Sequence, residues 1–300
     1  MDATIIALYE RLVKHDDALA ARDLQELAVV NKNPAAAMAL SRWHAQRSRL
    51  EESLKYIETA ALTGDSFAQA WLADCYYQGV GTTPDYALAK AWAEKSFSQH
   101  NEYGARVLAE IHFHGSGIQA DRVRAFELIK WACSTGSLAA LYTFGRLLIK
   151  DGRLKDGITA LSKAAEQGEV YSCGQMGARY YWGEGVPKDI KKAIPLLEVA
   201  AAGGCSEALY VLARYYESTD CTKALGLLTA SAAQNHFEAN RALAAHLILG
   251  SLGVKDNKLA QICIERAKAR PAEVICMADS ESIDALLEKA IAHLTARSKE

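Results

Sequence analysis

The glycine-rich turns are the first residues in this chain that could do chemistry. Gly79-Val80-Gly81, Gly115-Ser116-Gly117 and Gly183-Glu184-Gly185 each place two glycines one residue apart, as a phosphate-binding loop does. Each turn follows a helical pattern rather than a strand, however, and the sequence has no G-x-x-x-x-G-K-[ST] motif. The sequence therefore favours connecting turns over phosphate sites.

A possible metal site lies at the end of one helical pattern, where Glu110, His112 and His114 occur at ligand-like spacing. The position of His112 is occupied by tyrosine in other copies of a repeated pattern (Tyr76, Tyr180 and Tyr216). That substitution favours a packing role. The sequence also lacks C-x-x-C, H-E-x-x-H and G-x-S-x-G motifs. We therefore expect no metal, no cofactor and no catalytic residues, and we expect a protein that is not an enzyme.

The remaining chemical signal is a set of tyrosine, arginine and acidic side chains at equivalent helix positions. These candidate partner-binding residues are Asp74, Tyr103, Arg106, Glu110, Tyr142, Arg146, Tyr171, Tyr210 and Arg214. Tyrosine and arginine dominate binding hot spots because they combine contact area with directional donors. Two interpretations stay open: the rows face a groove, or they pack and form ion pairs between repeats. If the arginines are exposed, glutamate at positions 146 and 214 leaves the melting temperature nearly unchanged.

Composition narrows the class of protein. Half of the 300 residues are hydrophobic and the net charge is −2, so no strongly basic surface predicts nucleic-acid binding. No apolar run approaches the about 20 residues of a membrane span, and the N-terminus has no signal-peptide pattern. The seven cysteines are irregularly spaced, which indicates free thiols in a reducing compartment. We expect a cytoplasmic protein.

The elements that position these residues form a repeat. A bulky residue, which we call the reference position, recurs every 31 to 36 residues at Leu40, Leu72, Leu108, Phe144, Met176, Leu212 and Leu243. The residue after it is always small, and so is the residue four before it. Small residues at this spacing let helix backbones approach closely, so Gly177 should leave no room for a branched side chain.

A second helix follows each reference position and carries its own small residues seven positions apart. Asp85, Asp121 and Asp189 stand where the N-cap of that second helix belongs. Glycine or asparagine stands eight residues before most reference positions, as suits a left-handed residue that ends the preceding helix. A chain of such hairpins buries its apolar stripes only by stacking.

The combined pattern, small-xxx-Leu-Gly/Ala-xx-Tyr, Gly-x-Gly-Val-xx-Asp and Lys-Ala-xx-Leu-xx-Ala-Ala, resembles the Sel-one-like repeat of the tetratricopeptide superfamily. The resemblance implies an all-α fold, a right-handed α-α superhelix (solenoid) of helical hairpins, whose first helices line a concave groove. We expect residues 1–32 to form an N-terminal capping hairpin, residues 33–268 seven repeats, and residues 269–300 a C-terminal capping helix.

The resemblance implies a non-enzymatic scaffold or adaptor that binds another protein or peptide along the groove. The alternative is a structural subunit of a larger bacterial assembly, associated with secretion or the envelope and contacted at its edges. An enzyme is a remote third possibility, since no catalytic constellation is visible. Substitutions in the groove and at the edges separate the first two classes.

Overall fold

The structure, a computed structural model, describes residues 2–268, and these contain sixteen α-helices and no strand. The all-α fold expected from the sequence is therefore confirmed for the described residues. The predicted capping helix in residues 269–300 lies outside them.

The helices are short and of similar length, and each one follows its predecessor after a brief turn. In chain order they are α1 Ala3–His15, α2 Ala18–Val29, α3 Pro34–Gln46, α4 Leu50–Leu62, α5 Ser66–Gln78, α6 Tyr86–Ser98, α7 Glu102–His114, α8 Arg122–Ser134, α9 Leu138–Lys150, α10 Leu154–Glu166, α11 Val170–Trp182, α12 Ile190–Ala202, α13 Ser206–Tyr216, α14 Cys221–Ala233, α15 Phe237–Leu249 and α16 Asn257–Lys268. They form two compact units, residues 1–147 and residues from 148 onward, so the boundary falls within α9.

Helical hairpins stack within each unit. In the first unit, α1 packs on α2, α3 on α4, α5 on α6 and α7 on α8, and the second helices α2, α4 and α6 also pack on the first helices α3, α5 and α7. The first helices α1 and α3 contact each other, as do α5 and α7. In the second unit, α11, α13 and α15 pair with α12, α14 and α16 in the same way. First helices are thus brought side by side within a unit.

The small residues flanking each reference position account for this close packing. All fourteen of them are buried, from Ala36 and Ser41 in α3 to Ala239 and Ala244 in α15. Gly177 shows why: a Cβ atom there would lie 2.7 Å from Leu197 Cγ and 3.2 Å from the Leu197 backbone nitrogen. The prediction that Gly177 abuts a neighbouring helix is confirmed.

The predicted caps and turns are also confirmed. Asp85, Asp121 and Asp189 are N-caps whose side chains accept hydrogen bonds from the backbone N–H of the third residue of the helix. Their own N–H groups donate back to carbonyls of the preceding helix, each at 2.8 Å. At Gly81 φ is +74°, and a Cβ atom there would collide with the Leu50 carbonyl oxygen of α4. The second glycine of this turn is therefore required for packing on the preceding hairpin.

Candidate functional site

A cleft runs along the first helices of the first unit. It has a volume of about 560 Å³ and is lined by Ile6 and Tyr9 of α1, Met38 of α3, and Phe67 and Trp71 of α5, among others. Three of these side chains are exposed although they are apolar: Ile6 is 43%, Phe67 43% and Trp71 41% accessible. Apolar side chains left exposed together, in a concave place, are typical of an interaction surface.

The polar groups of the cleft are few. Arg42 lies in its wall and is exposed, and it forms no ion pair with any described residue. Tyr9 Oη is buried and has no hydrogen-bond partner among the described residues. A few unsatisfied polar groups among apolar walls are what a binding cleft needs to orient a partner.

Next to the cleft lies a smaller pocket between α5 and α7. Phe67 and Tyr103 meet edge to face, with ring centroids 4.9 Å apart and planes at 71°. Phe67 also contacts Trp71, with centroids 6.2 Å apart at 69°. Asp74 and Arg106 complete the lining. Of the candidate residues, the structure thus brings Tyr103, Asp74 and Arg106 together.

Ion pairs connect successive first helices on this face. Arg106 Nη2 lies 3.6 Å from Asp74 Oδ2, and Arg146 Nη1 lies 3.2 Å from Glu110 Oε1. Burial raises the pKa of Asp74, Arg106 partly offsets that rise, and Glu110 adds to it. Glu110 is itself buried, with only 7% of its side chain accessible. Glu110 and Arg146 therefore join α7 to α9, and Arg146 also lies over the Tyr142 ring at 5.5 Å.

The three candidates in the second unit have different surroundings. Tyr171 is 56% exposed on α11. Tyr210 is only 3% exposed and stacks on the His236 ring, with centroids 5.1 Å apart. Arg214 donates to both carboxylate oxygens of Glu217 at 2.8 Å. The low exposure of Tyr210 and its contact with His236 favour packing between repeats, the second of the two interpretations, for this residue.

Sequence reasoning missed several residues of the cleft. Ile6, Tyr9, Met38 and Trp71 were outside the candidate set, although Trp71 stands directly before the reference position Leu72. The equivalent residues in most other repeats are small or aliphatic, such as Ala39, Val107 and Ala242. A tryptophan at a position where every other repeat has a smaller residue was the signal that could have found it.

Within residues 2–268 no group of three His, Cys, Asp or Glu side chains is placed to hold a metal ion. His112 is half-buried, its pKa is lowered chiefly by burial, and its Nδ1 atom has no partner among the described residues. None of the described helices is long and apolar enough to cross a membrane.

Comparison with protein families gives one match. The Sel1 repeat family model matches residues 66–101, 103–136, 170–205 and 206–236. The matched segments begin close to the first helices α5, α7, α11 and α13 and extend through the paired second helices.

Two curated relatives are similar over part of their length. The chain is 26% identical over 202 residues to an uncharacterized Sel1-like repeat-containing protein of Schizosaccharomyces pombe, which covers 59% of this chain and 29% of the relative. It is 33% identical over 90 residues to an uncharacterized protein of Neisseria meningitidis, covering 30% of this chain and 19% of the relative. The chain thus spans less than a third of the length of these curated relatives.

Solved structures support the fold. A Sel1 repeat protein from Oxalobacter formigenes superposes with a TM-score of 0.55 at 23% identity, over 79% of this chain and 99% of that protein. An immunity protein from Pseudomonas aeruginosa superposes with a TM-score of 0.51 at 20% identity, over 65% of this chain and 80% of that protein. At these identities the similarity concerns the fold alone.

Proposed function

We propose that this chain, which carries Sel1 repeats in residues 66–101, 103–136, 170–205 and 206–236, is a non-catalytic scaffold that binds a partner protein along the first helices of its first unit. The observation that carries the proposal is the cleft of α1, α3 and α5, in which Ile6, Phe67 and Trp71 remain exposed. Burying these side chains in an interface gains free energy at about 25 cal/mol per Å² of apolar surface. Tryptophan and tyrosine are also the residue types that most often form hot spots.

The ion pairs on the same face define what each candidate residue does in this proposal. Glu110 and Arg146 neutralise each other and hold α7 against α9, so they support the surface from beneath. Tyr103, Asp74 and Arg106 lie in the wall of the small pocket beside the cleft. Tyr142, Tyr171 and Arg214 remain candidates for further contacts. Six free cysteines support placing the scaffold in a reducing compartment, the cytoplasm.

The test uses two matched charge substitutions. Affinity capture with the unaltered chain, followed by mass spectrometry, identifies the partner, and calorimetry with the purified partner measures its affinity. Trp71→Glu places a carboxylate in the cleft, whereas Val123→Glu alters an apolar side chain that is 73% exposed on the second helix α8. Both variants should keep the helical circular dichroism and the melting temperature of the parent chain.

We expect Trp71→Glu to lose most of the affinity and Val123→Glu to keep it. The reverse result would contradict binding on the first helices. It would favour a contact surface on the second helices instead.

A further inference from the structure

We propose that the pocket between α5 and α7 binds a cationic side chain, lysine or arginine, of the partner protein. The pocket, called here the cation pocket, is formed by Phe67, Trp71, Asp74 and Tyr103, with Ala70 and Arg106 at its sides. This inference rests on the proposed function of the first-helix face and specifies the chemistry of the partner.

The arrangement of the aromatic rings is the first argument. Phe67 contacts Trp71 at an interplanar angle of 69° and Tyr103 at 71°. Adjacent rings are therefore nearly perpendicular. Phe67 and Trp71 are each more than 40% exposed, which leaves ring surface available to a ligand. The faces of aromatic rings carry negative potential and attract ammonium and guanidinium groups within about 6 Å.

The Asp74 carboxylate is the second argument. It follows Ala70 and Trp71 by about one helical turn on α5, so it lies on the same side of the helix as the rings. Arg106 approaches it only to 3.6 Å, longer than the about 2.7–2.9 Å of a charge-assisted hydrogen bond. Gln78 also interacts with this carboxylate. Because the contact with Arg106 is long and a carboxylate accepts about four hydrogen bonds, Asp74 retains acceptor capacity for an incoming cation.

The size of the pocket decides what kind of cation fits. Its volume is about 190 Å³, below the roughly 300–1,000 Å³ of sites for drug-sized molecules. One side chain fits, and a cofactor does not. The pocket shares Phe67 and Trp71 with the larger apolar cleft. The partner segment should therefore carry a basic residue flanked by bulky apolar residues.

The experiment uses acetylated tripeptide amides of the form leucine–X–leucine, in which X is lysine, arginine, norleucine or glutamate. Binding to the full chain is followed by NMR through the indole N–H resonance of Trp71, one of five tryptophans. Trp71→Phe assigns that resonance. Asp74→Asn removes the charge with little change of shape, and Trp71→Ala removes one wall. Tyr215→Ala is the matched control, because Tyr215 is an exposed aromatic residue on the first helix α13, lies in the second unit and is not a candidate for partner contacts.

We expect the lysine and arginine peptides to shift the Trp71 resonance in a saturable manner, about tenfold more tightly than the norleucine peptide. Trp71→Ala lacks the indole resonance, so calorimetry is used for the variants. Trp71→Ala and Asp74→Asn should each bind the basic peptides about tenfold or more weakly than Tyr215→Ala does. Equal binding of the norleucine peptide, tighter binding of the glutamate peptide, or no shift with any peptide would each overturn the inference.

These outcomes are distinguishable from failure of the scaffold proposal. If Trp71→Glu loses the partner but no basic peptide binds, the scaffold proposal stands and the cation pocket is refuted. If basic peptides bind but Trp71→Glu retains the partner, the pocket is not the partner's site and the inference falls with the proposed surface.

Discussion

Arg146 Nη1 lies 3.2 Å from Glu110 Oε1. In this ion pair the Arg146 side chain is 32% accessible to solvent, whereas the Glu110 side chain is only 7% accessible. Burial disfavours the charged form of Arg146, but Glu110 and nearby tyrosines outweigh it, so its pKa is raised. The sequence left two interpretations open for Glu110 and Arg146: a role in a groove, or ion pairing between repeats. The contact favours ion pairing. The two residues form an ion pair between α7 and α9 within the first-helix face.

Removing the arginine should therefore destabilise the chain. Arg146→Met leaves the Glu110 carboxylate buried without its partner, and we expect a loss of about 1–3 kcal/mol in the free energy of unfolding. Urea denaturation followed by circular dichroism measures it. The double variant Glu110→Gln with Arg146→Met is the control, because it removes the orphaned charge and should recover much of the loss.

This result also changes what is expected of glutamate at position 146. The sequence suggested that replacing Arg146 and Arg214 together with glutamate would leave the melting temperature nearly unchanged. With Glu110 buried alongside, the substitution would instead place two carboxylates together, so we now expect a clear decrease. An unchanged melting temperature would show that the pair does not form in solution.

The contact of Gly177 with Leu197 predicts a second stability effect. Gly177→Val should lower the free energy of unfolding by about 1–3 kcal/mol or more, because even a Cβ atom would lie 2.7 Å from Leu197 Cγ. Gly226 is the matched control: it is a glycine within helix α14 whose added Cβ would meet nothing within 4 Å. Gly226→Ala should raise stability by about 0.5–1 kcal/mol through helix propensity. Equal effects of the two substitutions would contradict the packing described for α11 and α12.

The raised pKa of Asp74 predicts a pH dependence. Above the ordinary value of 3.8 and up to the raised value, the folded state binds more protons than the unfolded state, so stability falls as the pH rises through that window. Asp74→Asn removes the ionisation. We expect the variant to melt at a higher temperature than the parent at pH 7, with the difference shrinking as the pH is lowered toward 3.8.

Asp17 provides a control of opposite sign. The pKa of Asp17 is lowered, chiefly by the hydrogen bond from Arg11. The charged carboxylate therefore stabilises the folded state above pH 3.8, and this stabilisation is lost as the pH falls through the lowered pKa. Asp17→Asn should therefore melt lower than the parent at pH 7, by a small amount since the pair is exposed. Melting curves of both variants from below pH 3.8 up to pH 7 test the two signs together.

The cysteines predict a graded reactivity. Cys221 is exposed, whereas Cys75, Cys173, Cys205 and Cys263 are buried. Burial raises the pKa of Cys75 to about 12, so its reactive thiolate is scarce at neutral pH. We expect Cys221 to react with a thiol reagent in the native protein and the buried group only after unfolding.

Labelling under denaturing, non-reducing conditions should count all seven cysteines as thiols. Cys221→Ser should remove one equivalent of native labelling. Finding disulfides in the count would contradict both the free thiols and the proposed reducing compartment.

Much of the fold followed from local chemistry in the sequence. The N-cap role of Asp121, the left-handed conformation of Gly168 (φ +77°) and the burial of Gly104 were all predicted from spacing alone. Capping, glycine conformation and small-residue periodicity each act within one or two helical turns. The same cap, turn and small residues also recur in each repeat, so the positions of the helices can be recognised from the sequence.

The candidate site depended on contacts between neighbouring repeats, which the position of a residue within its own repeat does not predict. Tyr103 and Tyr210 are both tyrosines on first helices, yet Tyr103 is half-buried beside a pocket and Tyr210 is covered by His236. Arg106 and Arg146 are paired to different degrees, at 3.6 and 3.2 Å. Exposure and pairing depend on which side chains the neighbouring repeats supply, and those side chains vary from one repeat to the next.

The position of each helix and turn was thus determined by the sequence itself, because each repeat carries its own caps, turns and packing residues. The tertiary structure alone decided that Trp71, Phe67 and Tyr103 meet beside Asp74, since they come from α5 and α7 and are up to 36 residues apart. Their proximity arises from stacking one hairpin on the next, which buries the small-residue faces and leaves the aromatic side chains at the surface between them.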